Sequence, residues 1–120
     1  MSLAEEIRRI VRTAGYSLDG WRHGWREEKS LRQWVGVNLA AWVALVILRP
    51  PLWACALIVA QGLLLLALEL VNSAIEATID YISTEKHPLA KAAKDTGSAA
   101  VAVIGLGYIA TWMFALLALF

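Results

Sequence analysis

Three apolar stretches, each about as long as a bilayer is thick, constrain this chain more than any other feature. A hydrocarbon core of about 30 Å takes roughly 20 helical residues, with about 17 to 25 tolerated. The 120-residue sequence offers 30–48, then 52–68 continuing as a polar stretch to 82, then 88–120, whose part from Ser98 onward carries no charge. Hydrocarbon supplies no partner for a backbone N–H or C=O, so such segments must be helices. With 59% hydrophobic residues and a mean hydropathy of +0.59, the chain holds more apolar surface than a small soluble core can hide. The expectation is an all-α integral membrane protein of one domain, 1–120, with spans at 30–48, 52–82 and 88–120 and an amphipathic region at 2–29.

That N-terminal region is patterned for the membrane surface. Ser2 and Glu5 have capping-box spacing, and Leu3, Ile7, Ile10, Val11 and Ala14 recur at helical intervals with Arg8 and Arg12 opposite. Gly15 is expected to stop this helix, and a second amphipathic set follows from Ser17 with Leu18, Trp21 and Trp25 on one face. Helices of this kind lie in the interface, apolar side down. Ser30 and Gln33 suggest another capping box, opening the first span. The charged start lacks the apolar core of a cleavable signal, and the lone Cys55 lies within a span, so no disulfide framework is expected. Of the eleven Lys and Arg residues, seven occur up to Arg32, Arg49 lies between the first two spans, and Lys86, Lys91 and Lys94 follow the second. The positive-inside rule then places the N-terminus and the second loop in the cytoplasm and makes Arg49-Pro50-Pro51 an external turn.

The chemistry concentrates where the second span leaves the membrane. In the run Glu69-Leu-Val-Asn72-Ser-Ala-Ile-Glu76-Ala-Thr-Ile-Asp80, a helical rotation of about 100° per residue puts positions 69, 72, 76 and 80 within roughly 80° of one another. Counting about 20 residues from Leu52, the crossing ends near Val71, which leaves Glu69 at the inner interface and Glu76 and Asp80 in water. An ionisable residue at membrane depth is costly and signals function. Three readings fit the stripe. Its carboxylates could serve a metal–phosphate site, because Mg²⁺ takes one or two carboxylates plus substrate phosphates. They could form a proton path, although that needs acids deeper in the bilayer. They could also be structural, packing against the N-terminal arginines.

Two other regions bear on the choice. Glu28 falls on the tryptophan side of its helix while Glu27 points away, so Glu28 needs a metal or cation, or a salt bridge to Arg32 one turn on. In the second loop, Glu85-Lys86-His87-Pro88 makes a turn, Pro88 suits the first position of a helix, and Lys91, Lys94 and Asp95 occupy its opening turns. A cation for phosphate, a carboxylate for metal and an acid to take a proton are the parts phosphoryl transfer uses. An ordinary solvated loop is the plainer reading, particularly for His87. Ala93-xxx-Gly97 and Ser98-xxx-Ala102 permit close helix approach. There is no Walker-A pattern, kinase Gly-rich loop or Asp-Phe-Gly sequence.

The string Glu69 to Ala77, then Asp80, His87 and Ala93-Lys94-Asp95-x-Gly97-Ser98-Ala99-Ala100-Val101, resembles the signature of the prokaryotic diacylglycerol kinases. Ala14-Gly15-Tyr16-Ser17, Trp25 and Arg32-Gln33 are similar to the same family, and the likeness spans nearly the whole chain. It implies a homotrimer of three-span subunits with a surface helix, in a bacterial inner membrane, phosphorylating the hydroxyl of diacylglycerol with ATP and Mg²⁺. By position it implies Glu69 as general base and Glu28 and Glu76 as metal ligands. Arg9, Tyr16, Lys94 and Asp95 would contact nucleotide, with Glu85, Lys86 and His87 near its adenine and sugar. Asn72 would orient Glu69 or the phosphate, and Ser98 would meet the lipid, with Arg9 also on the substrate side. No nucleic-acid partner is expected. Trp34 and Arg49-Pro50-Pro51 depart from the pattern and bear on lipid preference. An undecaprenol kinase and a non-enzymatic membrane scaffold are the alternatives.

Overall fold

Residues 52–82 form the axis of the molecule, and everything else is arranged on them. A computed structural model describes residues 2–120 and consists of four helices: α1 (Leu3–Glu27), α2 (Lys29–Leu48), α3 (Leu52–Ile82) and α4 (Pro88–Leu117). The helices α2, α3 and α4 are each long and apolar enough to cross a membrane. At 1.5 Å per residue the 31 residues of α3 reach about 46 Å, some 16 Å beyond a bilayer core. That excess carries the polar stripe.

Short signals set the helix ends. Arg49 adopts the left-handed conformation (φ 50°, ψ 53°) and donates its N–H to the Leu45 carbonyl, and Pro50-Pro51 prevents continuation. His87 caps α4, its Nδ1 accepting the Leu89 N–H at 3.2 Å, with Pro88 in the first turn where a missing donor is harmless. The capping box at Ser2 and Glu5 is present. The Ser2 backbone N–H reaches Glu5 Oε2 at 2.6 Å, and that bond, helped by the Ser2 hydroxyl beside the carboxyl, holds the Glu5 carboxyl below its ordinary value.

Three local expectations are corrected. Gly15 does not end a helix: α1 runs unbroken to Glu27, no glycine adopts positive φ, and the break comes at Glu28, which is extended (φ −103°, ψ 107°). At an interface, each amide left outside the helix needs another partner, and that outweighs glycine's propensity cost of about 1 kcal/mol. Ser30 and Gln33 form no capping box, because the N-cap of α2 is Glu28, which makes no side-chain cap bond. The last helix stops at Leu117 and closes with a turn, rather than running to Phe120.

The spans pack antiparallel, α2 and α4 each against α3, and α1 touches the bundle only through α2 and α3. A buried cluster of Ala41, Leu45, Ala54, Ile58, Tyr108 and Ala115 joins the three spans toward the Arg49 end. Closer to the middle, Asn38 is almost fully buried, and its Nδ2 donates to the Trp34 carbonyl at 2.9 Å and the Gly62 carbonyl at 3.4 Å. A Cβ on Gly62 would sit 2.9 Å from Asn38 Cγ and closer still to Oδ1, so glycine is what lets α2 and α3 approach here. The contact fixes their register. Gly24 brings α1 close to α3 in a softer way, since a Cβ there would lie 2.8 Å from Leu70 Cδ2, the end of a flexible side chain. Leu3, Ile7, Ile10, Val11, Leu18, Trp21 and Trp25 remain exposed along α1, as do Leu63, Val103, Leu106 and Ile109 on the spans. In a membrane protein these are the surfaces lipid or another subunit covers.

Candidate active site

The polar stripe of α3 is held by α2 on one side and α4 on another, and by bonds within α3 itself. Glu69, 6% exposed, is its most buried member. Its Oε2 accepts a hydrogen bond from Ser30 Oγ at 3.1 Å, across from the first turn of α2. Ser73 Oγ donates to the Glu69 backbone carbonyl at 3.1 Å, a bond internal to α3. Among the described residues Oε1 of Glu69 has no hydrogen-bond donor, and it is not among the sealed, unpartnered atoms. One carboxylate oxygen is therefore anchored and the other is open.

One turn further, Asn72 Nδ2 donates to Glu76 Oε1 at 3.1 Å. Asn72 Oδ1 is buried without a partner and lies against Gly97 of α4, where a Cβ would fall 3.4 Å from Asn72 Cγ and nearer to Oδ1. The Ala93-xxx-Gly97 spacing thus lets α4 close onto the stripe. Beyond it, Lys94 Nζ donates to Asp80 Oδ1 at 2.6 Å, tying α4 to the end of α3, and Lys91 pairs with Asp95 on α4 itself.

Between these helix ends lies an open cavity of about 770 Å³, lined by Asp80, Glu85, Lys86, His87, Lys91, Lys94 and Asp95 among others. A volume of this order suits a ligand of nucleotide size. The structure so gathers Glu85, Lys86, His87, Lys94 and Asp95 around one space, beside the water-facing end of the stripe.

The remaining candidates are separate within one chain. Arg9 is exposed on α1 and pairs with Glu6, and Tyr16 is 67% exposed; neither lines the cavity. Glu28, half-buried at the joint between α1 and α2, is not bridged to Arg32, whose Nη1 instead donates to the Trp25 and Arg26 carbonyls at 2.5 and 3.1 Å. The guanidinium closes the end of α1 and leaves the Glu28 carboxylate free for other use. Ser98 is exposed on α4. Among the described residues no acid of the stripe pairs with an arginine, so the packing role weighed for it in the sequence is not what the structure displays.

No three His, Cys, Asp or Glu residues cluster as a metal site among the described residues. Magnesium does not require such a cluster, because it takes one or two carboxylates and completes its shell with water and phosphate oxygens. Glu76 fits that demand, since it offers a carboxylate oriented by the Asn72 amide.

Sequence reasoning missed Ser30 as a member of the site and Gly62 and Gly97 as the positions that admit Asn38 and Asn72. Asn38 within a span was the available signal for the first pair, and the small-residue spacing for the second.

Residues 15–116 match the family model described as prokaryotic diacylglycerol kinase. The chain is 43% identical over 111 residues to a diacylglycerol kinase of Pseudomonas aeruginosa, covering 92% of this chain and 90% of that one. It is 38% identical over 104 residues to the Escherichia coli K12 diacylglycerol kinase, covering 87% and 85%. For a Helicobacter pylori diacylglycerol kinase the figures are 36% over 117 residues, covering 98% and 91%. With the match spanning the second half of the surface helix, all three spans and the polar stripe, the chain belongs to the prokaryotic diacylglycerol kinase family.

Proposed function

We propose that this multi-pass bacterial membrane enzyme phosphorylates diacylglycerol with ATP, giving phosphatidic acid and ADP at the cytoplasmic face of the inner membrane. The observation that carries the reading is Glu69: a buried carboxylate on a spanning helix, one oxygen anchored and the other open, which the count of about 20 residues from Leu52 puts at headgroup level. Glu69 takes the hydroxyl proton as the lipid oxygen bonds to the γ-phosphorus and the bond to the leaving ADP oxygen breaks. Glu76, oriented by Asn72, and Glu28 would hold Mg²⁺, which when bound supplies positive charge to the phosphate oxygens. Lys94 and Asp95, with Glu85 to His87, bind the nucleotide from the cytosolic side, and the 770 Å³ cavity they line supports that assignment.

Arg9, Tyr16 and Ser98 lie apart from that cavity in one subunit, which supports a site completed between subunits of a homotrimer. Ser98, exposed on α4, and the interfacial α1 offer polar partners to the ester groups flanking a diacylglycerol hydroxyl. A polyprenol has no such groups. In the same mixed micelles, kcat/KM for diacylglycerol is expected to exceed that for undecaprenol at least tenfold, about 1.4 kcal/mol of transition-state binding. An equal or reversed preference would make the enzyme a polyprenol kinase, and no lipid-dependent ATP consumption would favour the scaffold.

A further inference from the structure

The geometry points to Ser30 as the positioning residue for Glu69, a role that rests on Glu69 being the base. Ser30 occupies the first turn of α2, where a serine ordinarily turns back to cap its own helix. Here its hydroxyl instead crosses to α3 and donates to Glu69 Oε2 at 3.1 Å, joining residues 39 positions apart. Three consequences follow from that single bond.

First, one carboxylate oxygen is occupied and the other is not, so the proton from the lipid hydroxyl has one acceptor, Oε1. A glutamate with several rotatable bonds at a lipid-facing depth otherwise samples orientations that present neither oxygen correctly, and misplacement of a base costs rate rather than binding. Second, the bond brings the carboxylate beside the N-terminal turn of α2, the positive end of the helix dipole. Glu28, the N-cap, makes no side-chain bond to that turn. Third, the placement depends on helix register. Asn38 and Gly62 lock α2 to α3 about two turns deeper, and the same antiparallel register carries Ser30 to Glu69.

Ser30→Ala tests the assignment with little risk to folding, because alanine is the best helix former and the site is in a first turn. At saturating ATP and diacylglycerol its kcat should fall about tenfold while KM for ATP stays within twofold. Ser30→Thr keeps the hydroxyl and should recover at least half of the lost turnover. In a Glu69→Gln background, Ser30→Ala should produce no further loss, as expected of a residue acting through Glu69. Turnover of Ser30→Ala within twofold of wild type, with Glu69→Gln inactive, overturns the role of Ser30 alone. Equal losses in the Ala and Thr variants, with KM for ATP rising in both, make Ser30 a structural residue and equally overturn it. Near-normal turnover of Glu69→Gln would remove the base itself, and this inference with it.

Discussion

Replacing Gly62 with alanine should unlock the bundle at its middle. The added Cβ would lie 2.9 Å from Asn38 Cγ, whereas carbon atoms rest at about 3.5 to 4.0 Å. Either α2 and α3 move apart by roughly 1 Å, or Asn38 leaves its rotamer and gives up its bonds to the Trp34 and Gly62 carbonyls. Overpacking of this kind costs about 1–3 kcal/mol, and the one interhelical bond at stake, from Asn38 to the Gly62 carbonyl, is worth about 0.6 kcal/mol. The sum is a destabilisation of about 2–4 kcal/mol. Unfolding in mixed micelles with rising SDS, followed by circular dichroism, would measure it. Asn38→Ala alone should cost about 1 kcal/mol, and Asn38→Ala with Gly62→Ala should be at least 1 kcal/mol more stable than Gly62→Ala, because the clash has gone. A Gly62→Ala protein unfolding within about 0.5 kcal/mol of wild type would show that the helices are not held at this contact, and the register argument would fail.

Three further substitutions separate nucleotide and metal handling from folding. Glu76→Gln and Glu28→Gln should each raise the Mg²⁺ concentration needed for half-maximal activity and, with it, KM for ATP; unchanged metal dependence in both would remove them as ligands. Lys94→Met breaks the 2.6 Å pair with Asp80, and because both partners are substantially exposed it should change stability by less than about 1 kcal/mol. A rise in KM for ATP of about tenfold is expected, and an unaltered KM would place the nucleotide elsewhere.

What the sequence made legible was whatever local chemistry determines. Pro51 and Pro88 mark helix starts because a proline's missing N–H is tolerated only there, and the apolar runs set the span lengths. The Glu69 to Asp80 stripe was visible because 3.6-residue periodicity is a property of one helix. The unread features are those in which distant segments meet. Ser30 has the spacing of a capping residue, and only the proximity of α3, 39 residues on, redirects its hydroxyl. Gly15 has the composition of a stop, and the interfacial setting of α1 overrides it. Gly62 looks like a weak point in a helix until Asn38 is seen to occupy the space a side chain would fill, and Gly97, legible as a position of close approach, gains its partner only when Asn72 is seen there. Arg9 and Glu28 could not be joined to the stripe by any periodicity, since they lie on α1 and at its end.

The central claim is that Glu69 is the base, and Glu69→Gln addresses it directly, since the amide keeps the shape and can still accept from Ser30. Phosphatidic acid formed from labelled ATP and diacylglycerol should fall by more than about 100-fold, the usual cost of losing a general base, while nucleotide affinity and the SDS unfolding midpoint remain those of wild type. Turnover within about tenfold of wild type, or a loss that accompanies unfolding of the bundle, would contradict the account.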